Sequence, residues 1–192
     1  MEGAVNRARE LAEATPGSFI PQQFENPANP LFHEATTARE IVEQMGEPID
    51  AVVLGCGSAG SFTGIARAIR RINPDLQCFL VEPVGSILGG GEPGFYRLEG
   101  IGQREFVPPN LDCDVPHEVI SVPDAEAFRT VRELARTEGG LGGGSTGAGA
   151  AQLTPEPASR GLRMLQAAAA DLTAGTYERA HATLRTSIPL LR

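Results

Sequence analysis

Lysine does not occur in this chain of 192 residues. All sixteen basic residues are arginine, so no side-chain amine is available as a nucleophile. Cysteine is scarce. Cys56, Cys78 and Cys113 are an odd number at wide spacing, which fits neither a disulfide framework nor a zinc pattern and points to free thiols in a reducing compartment. No apolar run approaches the ~18 residues of a membrane span. Met1-Glu2 opens the chain without a basic segment and apolar core of a signal peptide. These absences lead to the expectation of a cytoplasmic protein with no membrane partner. The net charge of −8 argues against a nucleic-acid partner, which calls for a basic face.

What is present is glycine and proline, 23 and 15 residues, with enough apolar sequence to bury a core. Residues 1–152 carry 21 acids and 11 arginines, a net −10; residues 153–192 carry 3 acids and 5 arginines, a net +2. Together with Pro155 and Pro157, that shift separates a domain at 1–152 from a divergent tail at 153–192, expected to be helical or disordered.

Helical spacing runs through residues 2–14, with Val5, Ala8 and Leu11 on one face and Pro16-Gly17 as the stop. Ser18–Ile20 reads as a short strand and Pro21–Pro30 as an extended loop. Thr36 or Thr37 caps a helix to about Gln44, closed by Gly46 and Pro48. Strands follow at Asp50–Leu54, Cys78–Glu82 and Glu118–Val122, and helices at 60–72 and 124–137. A long Gly/Pro-rich stretch occupies 83–114, of a kind that is usually functional or partly disordered. A small-residue helix begins near Ser145, which reads as its N-cap. Strands alternating with helices imply an α/β fold on a mainly parallel sheet.

The chemistry concentrates at Val52-Val53-Leu54-Gly55-Cys56-Gly57-Ser58-Ala59-Gly60-Ser61: a strand, a small-residue turn and a helix start. Such a turn aims several backbone N–H groups at one place, where the helix dipole also favours an anion. Gly55, Gly57 and Gly60 satisfy the G-x-G-x-x-G spacing, and Glu82 lies 22 residues on, where an acid would take a ribose hydroxyl. A dinucleotide site is therefore one reading, and a plain tight turn another. The hydroxyls of Ser58, Ser61 and Thr63 favour a terminal phosphate instead. A second Gly-rich turn precedes Ser145, whose hydroxyl either caps its helix or faces a ligand between the two turns. His33, His117 and His181 are dispersed, and Arg70-Arg71 reads as a solvated helix face.

Taken in order, several segments together resemble cysteine synthase and its close relative cystathionine β-synthase, fold-type II pyridoxal-phosphate enzymes. They are Pro21-Gln22-Gln23-Phe24-Glu25-Asn26-Pro27-Ala28-Asn29-Pro30, Thr36-Thr37 before Glu40-Ile41, the loop at 55–64, and Val81-Glu82-Pro83. Further on come Glu99-Gly100-Ile101-Gly102 before Phe106-Val107-Pro108, and Gly144-Ser145-Thr146-Gly147. The resemblance covers about residues 1–152 and implies part of a three-layer sandwich. It implies that Gly57, Ser58, Ala59, Gly60 and Ser61 fall on the family's Gly-Thr-Gly-Gly-Thr phosphate loop. Ala59 stands there in place of a glycine, which restricts the backbone. It also implies that Ser145 meets the pyridine nitrogen as a neutral partner. Gln23, Gly100, Ile101 and Gly102 fall on substrate-binding positions, with Gln103-Arg104-Glu105 replacing the usual small residues. Cys56 is assigned no catalysis.

The family's Schiff-base lysine and its substrate-carboxylate loop lie in an N-terminal part that this chain does not match. The expectation is the second half of such an enzyme, inactive alone, with no catalytic residue and no metal of its own. The family reaction is β-replacement of O-acetylserine by sulfide. A small amino-acid substrate, a homodimer, a lysine-bearing partner half and serine acetyltransferase are the partners that the resemblance implies. A non-catalytic assembly subunit is the alternative. The strands missing from such a half would leave sheet edges open.

Overall fold

A computed structural model describes residues 2–151; the tail expected from 153 onward lies outside the described residues. Nine elements follow one another among the described residues. They are α1 (Glu2–Ala14), α2 (Ala28–Ala35), α3 (Thr37–Met45), β1 (Ala51–Gly55), α4 (Gly60–Ile72), β2 (Gln77–Pro83), β3 (Glu118–Val122), α5 (Asp124–Thr137) and α6 (Gly144–Ala151). The three strands pair in parallel in the order β1-β2-β3, with Leu54 opposite Leu80 and Leu80 opposite Val119. The fold is α/β with helical layers on a parallel sheet, as the alternation of strands and helices requires.

Strand periodicity divides the core in two. Val52, Leu54, Cys78, Leu80 and Val119 point to one face and pack with Phe62, Ile65, Ala66 and Ile69 of α4 and with Ala38 and Met45 of α3. Val53, Val81, Ile120 and Val122 point to the other, against Ala127 of α5 and Ala148 of α6. Both faces are covered, which parallel strands with continuous apolar runs demand.

Two close approaches set the helices. A Cβ on Gly64 would come within 2.3 Å of Pro30 O and 2.8 Å of His33 Cβ, so glycine lets α2 lie directly on α4. A Cβ on Gly147 would come within 2.0 Å of Ala127 O, which seats α6 on α5.

Local structure departs from the sequence reading in four places. Ser18–Ile20 forms no strand; Phe19 is 80% exposed and finds no sheet neighbour. Residues 28–30 are not extended loop but the first turn of α2, since Pro30 sits where a proline costs a helix no hydrogen bond. Thr36 does not cap α3 through its side chain; its hydroxyl donates back to Phe32 O at 2.8 Å. Arg70 is not simply solvated, because its guanidinium donates to Val115 O at 2.8 Å, whereas Arg71 does lie on the surface, paired with Glu34.

Candidate functional site

The 55–61 turn leaves the C-terminal end of β1 and enters α4 at Gly60. The first hydrogen bond of α4 runs from Thr63 N–H to Ala59 O at 2.9 Å. The N–H groups of Gly60, Ser61 and Phe62 therefore have no acceptor within the helix. That is an anion-seeking arrangement, strengthened by the dipole of a 13-residue helix. Ala59 holds φ +69°, the left-handed region that favours glycine. The turn needs that conformation to fold the chain back, and alanine takes it at a cost of about 1–2 kcal/mol.

Glycine is required at both ends of the cup. A Cβ on Gly60 would fall 1.9 Å from Asn29 Oδ1, and one on Gly57 2.5 Å from Gly100 O. The loops are packed against one another at backbone distance. Gly102 N–H donates to Cys56 O at 2.7 Å, and Gln103 Nε2 donates to Gly57 O at 3.1 Å. The stretch after Pro83 is thus pinned to the turn after β1, although it has no regular element before Glu118.

A cleft of about 500 Å³ opens here, lined by Gln23, Gly57, Ser58 and the 99–105 segment, with Phe24 and Tyr96. Gln23, Gly57, Ser58, Gly100, Ile101 and Gly102 are brought together in it, from three separate parts of the sequence. Ala59 and Gly60 are buried behind it, Ser61 stands exposed on the first turn of α4, and Ser145 does not line it. Ser145 is the second residue of α6 rather than its N-cap, half-buried, and its hydroxyl makes no hydrogen bond among the described residues. The helix begins one residue earlier, at Gly144, where a Cβ would meet Leu98 and Phe128.

Charges around the cleft are mixed. Arg104 lies over the Tyr96 ring, 5.5 Å from its centroid, with Glu99 and Glu105 on the same rim. Burial raises the Tyr96 hydroxyl above its usual range, against the lowering effect of Arg104. Burial also pushes the Cys56 thiol up to about 12, beyond the lowering effect of a backbone hydrogen bond with Ala59 and with some help from the Glu82 charge. A thiol held so high is protonated and unreactive at neutral pH. Cys56, Cys78 and Cys113 are all free.

Glu82 does not serve a ribose. It is 1% exposed, and its carboxylate accepts from Leu88 N–H at 3.0 Å, Gly89 N–H at 3.3 Å and Ser121 Oγ at 3.2 Å. The acid at the end of β2 fastens the loop that follows, and the dinucleotide reading loses its second element. Gln103 and Asn29 were not singled out as site residues by sequence reasoning. Each is an amide whose role depends on a partner distant in sequence, and only the departure at 103–105 flagged one of them.

A backbone N–H cup, a hydroxyl at its lip and glycines that bring the neighbouring loops close make the 57–61 turn suited to a phosphate group. The sequence profile described as "Pyridoxal-phosphate dependent enzyme" matches residues 1–163. The cysteine synthase of Helicobacter pylori (strain ATCC 700392 / 26695) is 47% identical over 151 residues, covering 77% of this chain and 48% of that protein. The crystal structure of an O-acetylserine-dependent cystathionine β-synthase, also from Helicobacter pylori, matches with a TM-score of 0.72 at 43% identity, over 80% of this chain and 52% of that one. A hydrogen sulfide-producing enzyme from Fusobacterium nucleatum matches with a TM-score of 0.73 at 34% identity, over 77% and 50%. The chain spans about half the length of the curated relatives that it matches. With the profile covering most of its length and the cup built for a phosphate, the chain belongs to the pyridoxal-phosphate-dependent enzyme family, alongside the cysteine synthases and cystathionine β-synthases.

Proposed function

We propose that this chain supplies the phosphate-holding part of a pyridoxal-phosphate-dependent β-replacement enzyme of the cysteine synthase type. The observation that carries the reading is the convergence of Ser58, Gly57, Gln23 and Gly100–Gly102 on one cleft at the end of β1, next to the N-terminus of α4. In this reading the N–H groups of Gly60 and Ser61 and the hydroxyls of Ser58 and Ser61 hold the cofactor phosphate. Ser145 offers the ring nitrogen a neutral hydroxyl partner. When bound, the cofactor supplies an electron sink for a carbanion beside the amino group of its substrate. Gln23 and the 100–102 loop flank the substrate, a small amino acid such as O-acetylserine.

The residue that would bond the cofactor aldehyde and move the proton at the substrate Cα is a lysine in this family, and this sequence has none. The 192-residue chain by itself therefore binds the cofactor reversibly and forms no cysteine from O-acetylserine and sulfide. Titration of pyridoxal phosphate into the purified chain tests this. We expect saturable binding that is competed by inorganic phosphate, and complete loss of cofactor on dialysis. A lysine-type covalent chromophore surviving dialysis, or no binding at all, would overturn the reading.

A second reading, a subunit that completes its site by assembling with a lysine-bearing half, is favoured by the absence of lysine from a chain that keeps the 57–61 cup. Restoration of β-replacement activity on mixing with a lysine-containing N-terminal half of a relative supports it; continued inactivity with no co-elution counts against it.

A further inference from the structure

Asn29 is a residue of α2, remote in sequence from the cup, yet its side chain lies across it. Its Nδ2 is 2.7 Å from Gln23 O and 3.2 Å from Ser58 Oγ. The peptide oxygen of Gln23 can only accept. That fixes the amide orientation: nitrogen towards Gln23, oxygen towards Gly60, where a Cβ would lie 1.9 Å from Oδ1. The second hydrogen of the same NH2 group then goes to the hydroxyl oxygen of Ser58. A serine hydroxyl has one hydrogen to give and two lone pairs. With a lone pair occupied by Asn29, the hydrogen is left to point into the cleft that Ser58 lines.

We propose that Asn29 is a positioning residue that sets Ser58 as a hydrogen-bond donor to the anion in the 57–61 cup. This rests on the reading of that turn as the phosphate cup. The same NH2 group ties the cup to the backbone of Gln23, so a bound phosphate and the substrate-side loop share one anchor. Gln23 O has a second, independent donor in Asn110 Nδ2 at 2.9 Å. Asn110 is held from behind, its carbonyl accepting from Thr63 Oγ1 at 2.8 Å. Asn110 supports the loop without touching Ser58, which makes it the control.

The test is the affinity of the full chain for inorganic phosphate and for pyridoxal phosphate, measured by calorimetric titration. Native circular dichroism is to be confirmed for each variant. Asn29→Ala should weaken both by roughly tenfold, the scale of one lost hydrogen bond to a charged group. Asn29→Asp, nearly identical in shape, should weaken both by roughly a hundredfold. Its carboxylate would draw the Ser58 hydrogen towards itself and set a negative charge beside the cup. In a Ser58→Ala background the Asn29→Ala change should alter affinity by less than about twofold, because its route of action is gone.

Asn110→Ala should leave phosphate affinity unchanged. Equal losses for Asn29→Ala and Asn110→Ala, or full additivity with Ser58→Ala, would show mere loop support and overturn the proposal. If Asn29→Ala does not fold, the Asp variant alone decides: affinity equal to that of the wild type overturns it. A wild-type chain that binds neither probe overturns the cup reading, and this inference with it; a wild type that binds while both Asn29 variants bind equally well overturns this inference alone.

Discussion

Gln103 Nε2 donates to the carbonyl of Gly57 across 3.1 Å, joining the 100–103 loop to the Gly-rich turn that follows β1. Gln103 is 3% exposed, and its own N–H is held by Ser86 Oγ at 3.0 Å. Gln103→Leu keeps the volume but leaves the Gly57 carbonyl without this donor. The expected cost is about 1–3 kcal/mol of stability, read as a lower urea midpoint at unchanged slope. An unchanged midpoint would mean that the backbone bonds of the loop, Gly102 N–H to Cys56 O among them, hold it without the Gln103 amide.

Ala59 adopts a backbone conformation suited to glycine, while its methyl is buried in the core. Ala59→Gly removes the strain, worth about 1–2 kcal/mol, and loses the methyl contacts and some chain stiffness. The balance should be a gain of up to about 1 kcal/mol, seen as a raised thermal midpoint. A lowered midpoint would show that the methyl packs more strongly than the backbone is strained.

Thiol reactivity separates the three cysteines. Cys56 and Cys78 are buried, and burial raises both thiols; Cys113 is exposed. Reaction of the native chain with a disulfide reagent should modify Cys113 rapidly, and the other two only on addition of denaturant. A rapid stoichiometry of two or three would contradict the packing at β1 and β2.

Arg67 donates to Asp112 Oδ2 from both Nε, at 2.8 Å, and Nη2, at 2.6 Å. Burial acts to raise the Asp112 carboxyl, but the hydrogen bonds and charge of Arg67 and the N–H of Asp114 outweigh it, and the net direction is down. The folded value lies below the unfolded one of about 3.9. The stabilisation is therefore present above that pH and lost as pH falls through the folded value. Arg67→Ala should cost under about 1 kcal/mol at neutral pH, since the pair is partly solvated. The difference in thermal midpoint from the wild type should close below about pH 4. A difference that persists at pH 2.5 would place the role of Arg67 in packing.

Gly147→Ala would set a Cβ 2.0 Å from the backbone oxygen of Ala127. α6 would have to lift from α5, at an expected cost of about 1–3 kcal/mol. A variant as stable as the wild type would mean that α6 slides freely, and with it Ser145.

Much of the element order was legible because the physics is local. Short apolar runs, the first of them ending in a Gly-rich turn, marked β1, β2 and β3, and apolar residues at helical spacing marked α4 and α5; Gly60–Ile72 and Asp124–Thr137 fall where the sequence pattern puts them. The Gly-rich turn after β1 was legible for the same reason, since G-x-G-x-x-G between a strand and a helix constrains its own backbone. α2 was missed because a segment rich in Pro and Asn has little helical signal, and what makes it a helix is docking on Gly60 and Gly64 of α4.

The sequence by itself determined the family resemblance, the place of the Gly-rich turn before α4 and the absence of any lysine to react with an aldehyde. Tertiary structure decided which residues share the site. Ser58 and Asn29 are 29 positions apart, Gly57 and Gln103 46, and no local pattern predicts that such amides will meet their partners. It also turned Glu82 from a ribose ligand into an internal loop fastener, because a carboxylate taken out of water must find donors nearby, and Leu88, Gly89 and Ser121 supply them.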